Sequence, residues 1–255
     1  MNDPSKRVIA SVLSKEIPWR FHAFPRNVRT GMPYGGVAPI LLNIAGGALG
    51  CEDCPWWGSL PDWNALKSRV PFGVGAWIPG CSEPLQNWKF TDQAYEPPPL
   101  PAQDPEAVFD AIIKALGVKM EYVFSPECKY LGAEDKIRMS QKWLFEIGPG
   151  GPSGYYDSLG HELMHATEPR LKWDGHSDVA ELRAEVGAGY LCGLLGVAPL
   201  RLHLRRHHDA HVGRWIRQMK ADPGLLLRVC DSASEGVVYL LRLAGMEIKW
   251  HSPET

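Results

Sequence analysis

The chain has 255 residues, 45% of them hydrophobic and 22% charged, with a formal net charge of −2. These values exclude disorder throughout, and the near-zero charge excludes a global electrostatic pull toward nucleic acid, so any such binding must come from local patches. The length suits one large domain or two modest ones. The N-terminus lacks an uninterrupted apolar core with a small-residue cleavage site. The longest apolar run, Gly36–Gly50, is too short for a bilayer and contains Pro39 and Asn43. The expectation is a cytoplasmic protein with no membrane partner and reduced cysteines.

In chain order, Ser5–Ile17 reads as a helix with Val8, Ile9, Val12 and Leu13 on one face, stopped by Pro18. A Pro- and Gly-rich loop follows, and Leu41–Ala48 reads as a short buried helix or strand. Cys51 and Cys54 form C-x-x-C without a second such pair, so they are either part of a metal or redox site or plain loop cysteines. Asp62 is the N-cap candidate for a helix over Asp62–Arg69, and Val70–Gly80 reads as a strand pair broken by glycines. Tyr95–Pro105 is proline-rich and extended.

Beyond it the texture changes. Pro105–Leu116 reads as a helix with Asp104 as N-cap, Pro105 in first place and Gly117 as its stop. Val118–Phe124 and Asp135–Met139 read as strands and Gly148–Gly154 as a turn. Helices are expected over Tyr155–Thr167, Ser177–Leu195, Leu200–Lys220 and Ser232–Leu243. The organisation expected is an N-terminal domain over 1–95, a proline-rich linker over 96–104 and a second domain over 105–255.

The stretch YYDSLGHELMHATEP, Tyr155–Pro169, carries the chemistry. His161 and His165 stand at i and i+4, one turn apart on one helix face, where two neutral imidazoles can hold one metal ion. Glu162 points beside such an ion and can take a proton from the attacking water. The flanking Leu159, Leu163, Met164 and Ala166 argue against a merely solvated helix. A catalytic site needs a third protein ligand. The next helix offers Glu181 and Glu185, again at i and i+4; the reading takes Glu181 as ligand and Glu185 as support for a ligand histidine. His176, on the connecting loop, is the rival third ligand. The ion is zinc or manganese.

In the order Tyr130, Asp135-x-Ile137-x-Met139, YYDSLGHELMHAT, AELRAEVGAGYLCGLLG and a helix containing Trp215, the C-terminal half resembles the zincin-like metallopeptidase domain of ArdC-type antirestriction proteins. The N-terminal words PWR, PRNVRTGMPYGGVAPILLNIA and Trp57-x-Ser59-Leu60-Pro61-x-Trp63 resemble the single-stranded-DNA-binding domain of the same family. In place of the family's basic strand pair stands VPFGVGAWIPG, which holds no Lys or Arg. The resemblance implies an α+β protein of two domains, a small α/β N-terminal domain and a zincin-like helical domain with a small sheet. It also makes Asp135–Met139 the edge strand above the metal helix, and it implies a metal-dependent peptidase with an antirestriction role against DNA-bound defence proteins. Tyr130, Tyr155, Tyr156 and His176 are the candidate oxyanion donors.

The DNA-binding candidates are Lys6, Arg7, Arg20, Arg26 and Arg29 for phosphates and Trp19 and Tyr34 for bases, since cations interleaved with aromatics suit a single strand. A second basic cluster over 201–220 reads mostly as a helix face. Two other functions fit the same residues. One is a non-catalytic protein that coats single-stranded DNA around a structural metal, and the other is an effector protease that needs no DNA.

Overall fold

The computed structural model describes residues 3–14, 17–70, 74–148, 151–175, 177–199 and 209–251. Helix α1 (Pro4–Leu13) starts where Asp3 accepts a hydrogen bond from the Ser5 N–H and Pro4 fills the first turn, and it buries Val8 and Ile9. Helix α2 (Ala38–Leu49) resolves the helix-or-strand alternative. Pro39 suits its first turn, and Gly50 at φ 68 ends it in a left-handed cap. Helix α3 (Leu60–Ala65) is capped by Ser59 and not by Asp62. Asp62 is instead the returning half of a capping box, accepting from the Ser59 N–H at 3.1 Å.

The N-terminal sheet is made of β1 (Arg26–Asn27), β2 (Trp56–Gly58) and β3 (Gln86–Asn87), with β1 parallel and β3 antiparallel to the central β2. Strands this short have no hydrophobic period to betray them. The strand pair expected over Val70–Gly80 does not form among the described residues; Ala76 makes an isolated bridge to Leu85.

In the C-terminal half, helix α4 (Pro105–Leu116) has the expected Asp104 cap and ends at Gly117, φ 72. The second sheet holds β4 (Lys119–Val123), β5 (Lys129–Leu131) and β6 (Lys136–Ser140) in the order β4-β6-β5. β6, the DKIRM segment, is therefore the central strand and not an edge. β4 runs parallel to it and β5 antiparallel. Helix α5 (Lys142–Glu146) leads to α6 (Gly151–Leu171), which begins inside the expected turn. Helices α7 (Ser177–Leu194), α8 (Asp209–Ala221) and α9 (Leu225–Leu243) complete the chain.

Helices α6, α7 and α9 pack together through Leu163, Leu182, Val186, Val237 and Leu240, all without exposed surface. Full burial of each such side chain contributes about 1.5–3 kcal/mol. Buried side chains of both sequence halves belong to one continuous apolar cluster, from Val8 and Trp19 to Leu241. The C-terminal tail crosses back to the N-terminal half: Trp250 packs on Phe24 and Tyr190, and the His251 N–H donates to Pro33 O at 2.7 Å. The cysteines are free thiols, and burial pushes Cys51 up to about 11. No described helix is long and apolar enough to cross a membrane.

Candidate metal centre

Helix α6 presents His161 and His165 on the face that meets α7, and α7 presents Glu181 to both. His161 Nε2 lies 3.1 Å from His165 Nε2, 3.3 Å from Glu181 Oε2, and His165 Nε2 lies 3.5 Å from Glu181 Oε1. Ligands bonded at about 2.0–2.1 Å to a tetrahedral ion stand roughly 3.3 Å apart, so this triangle has the size a zinc-like ion requires. Among the described residues, His161, His165 and Glu181 are the group able to hold a metal, with ligand atoms within 4.8 Å of one another.

The outer nitrogens are also held. His161 Nδ1 lies 3.2 Å from Glu185 Oε1 and His165 Nδ1 lies 2.8 Å from Glu168 Oε1. A carboxylate on Nδ1 fixes the tautomer that leaves Nε2 free for a ligand bond. Glu168 follows His165 by three residues on the same face, which is the signal that would have found it in the sequence. Burial works against a charged His161, yet Glu181 and Glu185 override it and hold its pKa well above the ordinary value. Hydrogen bonds from His161 and His165 hold Glu181 well below the usual carboxylate range. Glu162, Glu168, Glu181 and Glu185 surround two imidazoles, and that surplus of negative charge favours a cation.

Glu162 stands apart from the triangle. It is 6% exposed, burial raises its pKa, and its Oε2 accepts the Tyr130 backbone N–H at 2.6 Å. That N–H belongs to β5, the edge strand nearest α6. Arg183, fully buried, locks the helices together. Its Nε donates to Ser232 Oγ (2.8 Å), Nη1 to Met164 O (3.1 Å) and Nη2 to Thr167 Oγ1 (2.9 Å). Burial lowers its pKa to about 10.

Residues 107–232 match the family model of zincin-like metallopeptidases, MPTase-PolyVal. The chain is also similar to two crystal structures of the antirestriction ArdC protein from the R388 plasmid. The Mn(II)-bound one has a TM-score of 0.73 at 24% identity, covering 94% of this chain and 96% of that one. The metal-free one has a TM-score of 0.73 at 23% identity, covering 96% and 98%. The chain has the ArdC fold. The resemblance seen in its sequence words and the α+β class with a zincin-like half are thereby borne out. A further relative is the DNA primase TraC of Escherichia coli, 23% identical over an alignment of 314 residues that covers 96% of this chain and 27% of the primase. The chain thus spans about a quarter of that relative's length.

The hydroxyls of Tyr130, Tyr155 and Tyr156 bond to partners outside the triangle. The Tyr130 hydroxyl donates to Asp135 Oδ1 at 2.9 Å, beside the Arg170–Asp135 ion pair. The Tyr155 hydroxyl meets Tyr122 (3.3 Å), and Tyr156 accepts from Lys142 Nζ (3.3 Å). Both line a separate cleft of about 220 Å³ with Glu106, Phe109 and Asp110. The helical period explains this, because positions 155 and 156 lie off the face that carries 161 and 165. His176 lies outside the described residues.

Most DNA-binding candidates are also placed elsewhere. Trp19 is 2% exposed and Tyr34 0%, so neither ring has a free face for a base. Arg7 donates to Trp77 O (2.6 Å) and Leu41 O (3.2 Å), and Arg26 to Gly31 O (3.1 Å). Arg20 is buried beneath the metal centre, paired with Asp157 and Glu185. Lys6 and Arg29 keep exposed side chains. Interleaving of cations and aromatics cannot distinguish a groove from a core that closes its loops with arginine–carbonyl bonds. Of the second basic cluster, residues 201–208 lie outside the described residues.

Proposed function

We propose that the protein is a zinc- or manganese-dependent peptidase with an antirestriction role against proteins bound to DNA. The observation that carries this reading is the His161–His165–Glu181 triangle with buried Glu162 beside it and outside the ligand set. A divalent ion held there would supply Lewis acidity to the scissile carbonyl and to water. Glu162 takes the proton of the attacking water and passes it to the departing amine. Its burial and raised pKa suit a group that must both accept and return a proton.

A substrate backbone pairs with the free edge of β5, next to the Tyr130 N–H. That N–H is bonded to Glu162, so an incoming peptide competes with Glu162 for it. The similarity to the ArdC structures and to a primase supports association with single-stranded DNA as a second reading. Exposed Trp77, whose carbonyl accepts from Arg7, and the exposed Lys6 and Arg29 are the groups available to a strand.

Elemental analysis of the wild type and His165→Ala is the deciding experiment. About one equivalent of zinc or manganese, lost in the variant, supports the metal centre; no metal in either, after reconstitution, removes the peptidase reading. A salt-dependent shift of a labelled oligonucleotide tests the DNA reading separately.

A further inference from the structure

We infer that Arg20, contributed by the N-terminal half, is a positioning residue of the metal centre. The inference rests on the reading of His161, His165 and Glu181 as metal ligands. Arg20 Nη2 lies 2.7 Å from Asp157 Oδ2 on α6 and 3.2 Å from Glu185 Oε2 on α7, and its side chain is 9% exposed. The other oxygen of Glu185, Oε1, lies 3.2 Å from His161 Nδ1. A chain of contacts therefore runs from the N-terminal half through Arg20 and Glu185 to a metal ligand.

The backbone is built to deliver this guanidinium. Asn43 Nδ2 donates to Pro18 O at 3.0 Å and to Arg20 O at 2.8 Å, which fixes the turn on either side of Trp19. The Trp19 carbonyl rests against α7 at Gly189, where a Cβ would stand 2.0 Å from that oxygen. Only a residue without a side chain lets the segment come so close.

Stability alone is a poor account of this arrangement. Arg20 Nε and Nη1 are buried without a hydrogen-bond partner in the protein, and a desolvated ion pair of this kind gains little over well-packed apolar residues. What it does achieve is to occupy Glu185. With Oε2 turned to Arg20 and Oε1 to His161 Nδ1, Glu185 is held on the outer side of His161, away from the Nε2 that faces Glu181. It is confined to orienting His161, and Glu181 becomes the third ligand. Arg20 thus helps to keep Glu185 in the supporting role and Glu181 in the ligand role.

The test is the zinc affinity of the full chain, by competition with a chromophoric chelator, for wild type, Arg20→Ala and Arg20→Lys, with thermal midpoints of the metal-free proteins. Residues that orient a ligand histidine are worth about 10–100-fold in metal affinity, so Arg20→Ala is expected to weaken zinc binding about tenfold. Arg20→Lys, which keeps the charge but not the fork, is expected to recover part of it, to within about threefold of wild type. A merely structural role would lower the midpoint and leave the affinity of the folded protein unchanged. If Arg20→Ala does not fold, Asp157→Asn, which frees the guanidinium, replaces it with the same expectation of weaker binding. A zinc affinity within about twofold of wild type in Arg20→Ala, or in Asp157→Asn where it takes that place, overturns the inference, since orienting residues carry about 10–100-fold. A wild type that binds no zinc overturns the metal reading itself and the inference with it.

Discussion

Glu162 and Asp135 show how much a single carboxylate's surroundings decide. Glu162→Gln keeps the triangle of His161, His165 and Glu181 intact, so it should retain metal while lowering peptide hydrolysis by about 10²–10⁴-fold. Metal content and rate measured on one preparation separate the two, and a wild-type rate would remove Glu162 as the base. Asp135 has a structural task. It takes both Arg170 Nη atoms, at 3.0 and 2.7 Å, and the Tyr130 hydroxyl, and Arg170 holds its pKa below the ordinary value. Its φ of 46 is one that Asn also tolerates, so Asp135→Asn is a clean removal of charge. With the side chain 47% exposed, solvent screening limits the expected cost to about 0.5–1 kcal/mol. Because the folded pKa is depressed, that stability is present above the unfolded pKa and is lost as pH falls through the folded one. Urea titrations of the two proteins should therefore differ at neutral pH and converge as the pH falls through the folded pKa of Asp135, which lies below the ordinary 3.8.

Among the elements, α7 carries most of the assembly: Glu181 for the triangle with His161 and His165, Glu185 for His161, Arg183 for α6 and α9, and Gly189 for the N-terminal segment. Gly189→Ala forces its Cβ into the Trp19 carbonyl and should cost about 1–3 kcal/mol of unfolding free energy, a typical overpacking penalty. A Cβ that merely relaxed outward would leave the midpoint of chemical unfolding unmoved. The long helices were legible because their caps and stops are local; Asp104, Pro105 and Gly117 bound α4 as expected. The N-terminal sheet was not, since strands of two or three residues leave no period. DKIRM was read correctly as a strand and wrongly as an edge, because strand order depends on where β5 docks and not on the residues of β6.

For the whole molecule, the continuity of the core across both halves has a measurable consequence. A ligand at one hundred times its Kd stabilises the folded state by about 2.7 kcal/mol. Zinc bound between α6 and α7 should therefore raise the unfolding midpoint seen by far-UV circular dichroism. It should equally raise the midpoint seen by tryptophan fluorescence, to which Trp19 and Trp57 of the N-terminal half contribute from within that core. Fluorescence that melts at its metal-free temperature while the helices shift would show two halves unfolding separately, despite the docking of Trp250 on Phe24 and Tyr190.

What the sequence by itself determined is what one helix turn can encode. His161 and His165 share a face, Glu162 does not, and Glu181 and Glu185 share a face of the next helix. Those relations follow from the 3.6-residue period and need no partner to be true. Only the tertiary structure places Glu181 against both His161 and His165, makes β5 the edge strand beside α6, and buries Arg20 against Asp157 and Glu185. Each of those depends on contacts between segments far apart in the chain, 137 and 165 residues for Arg20 with Asp157 and Glu185. No local pattern reports a long-range contact, and the same arginine, read locally, is indistinguishable from a phosphate ligand.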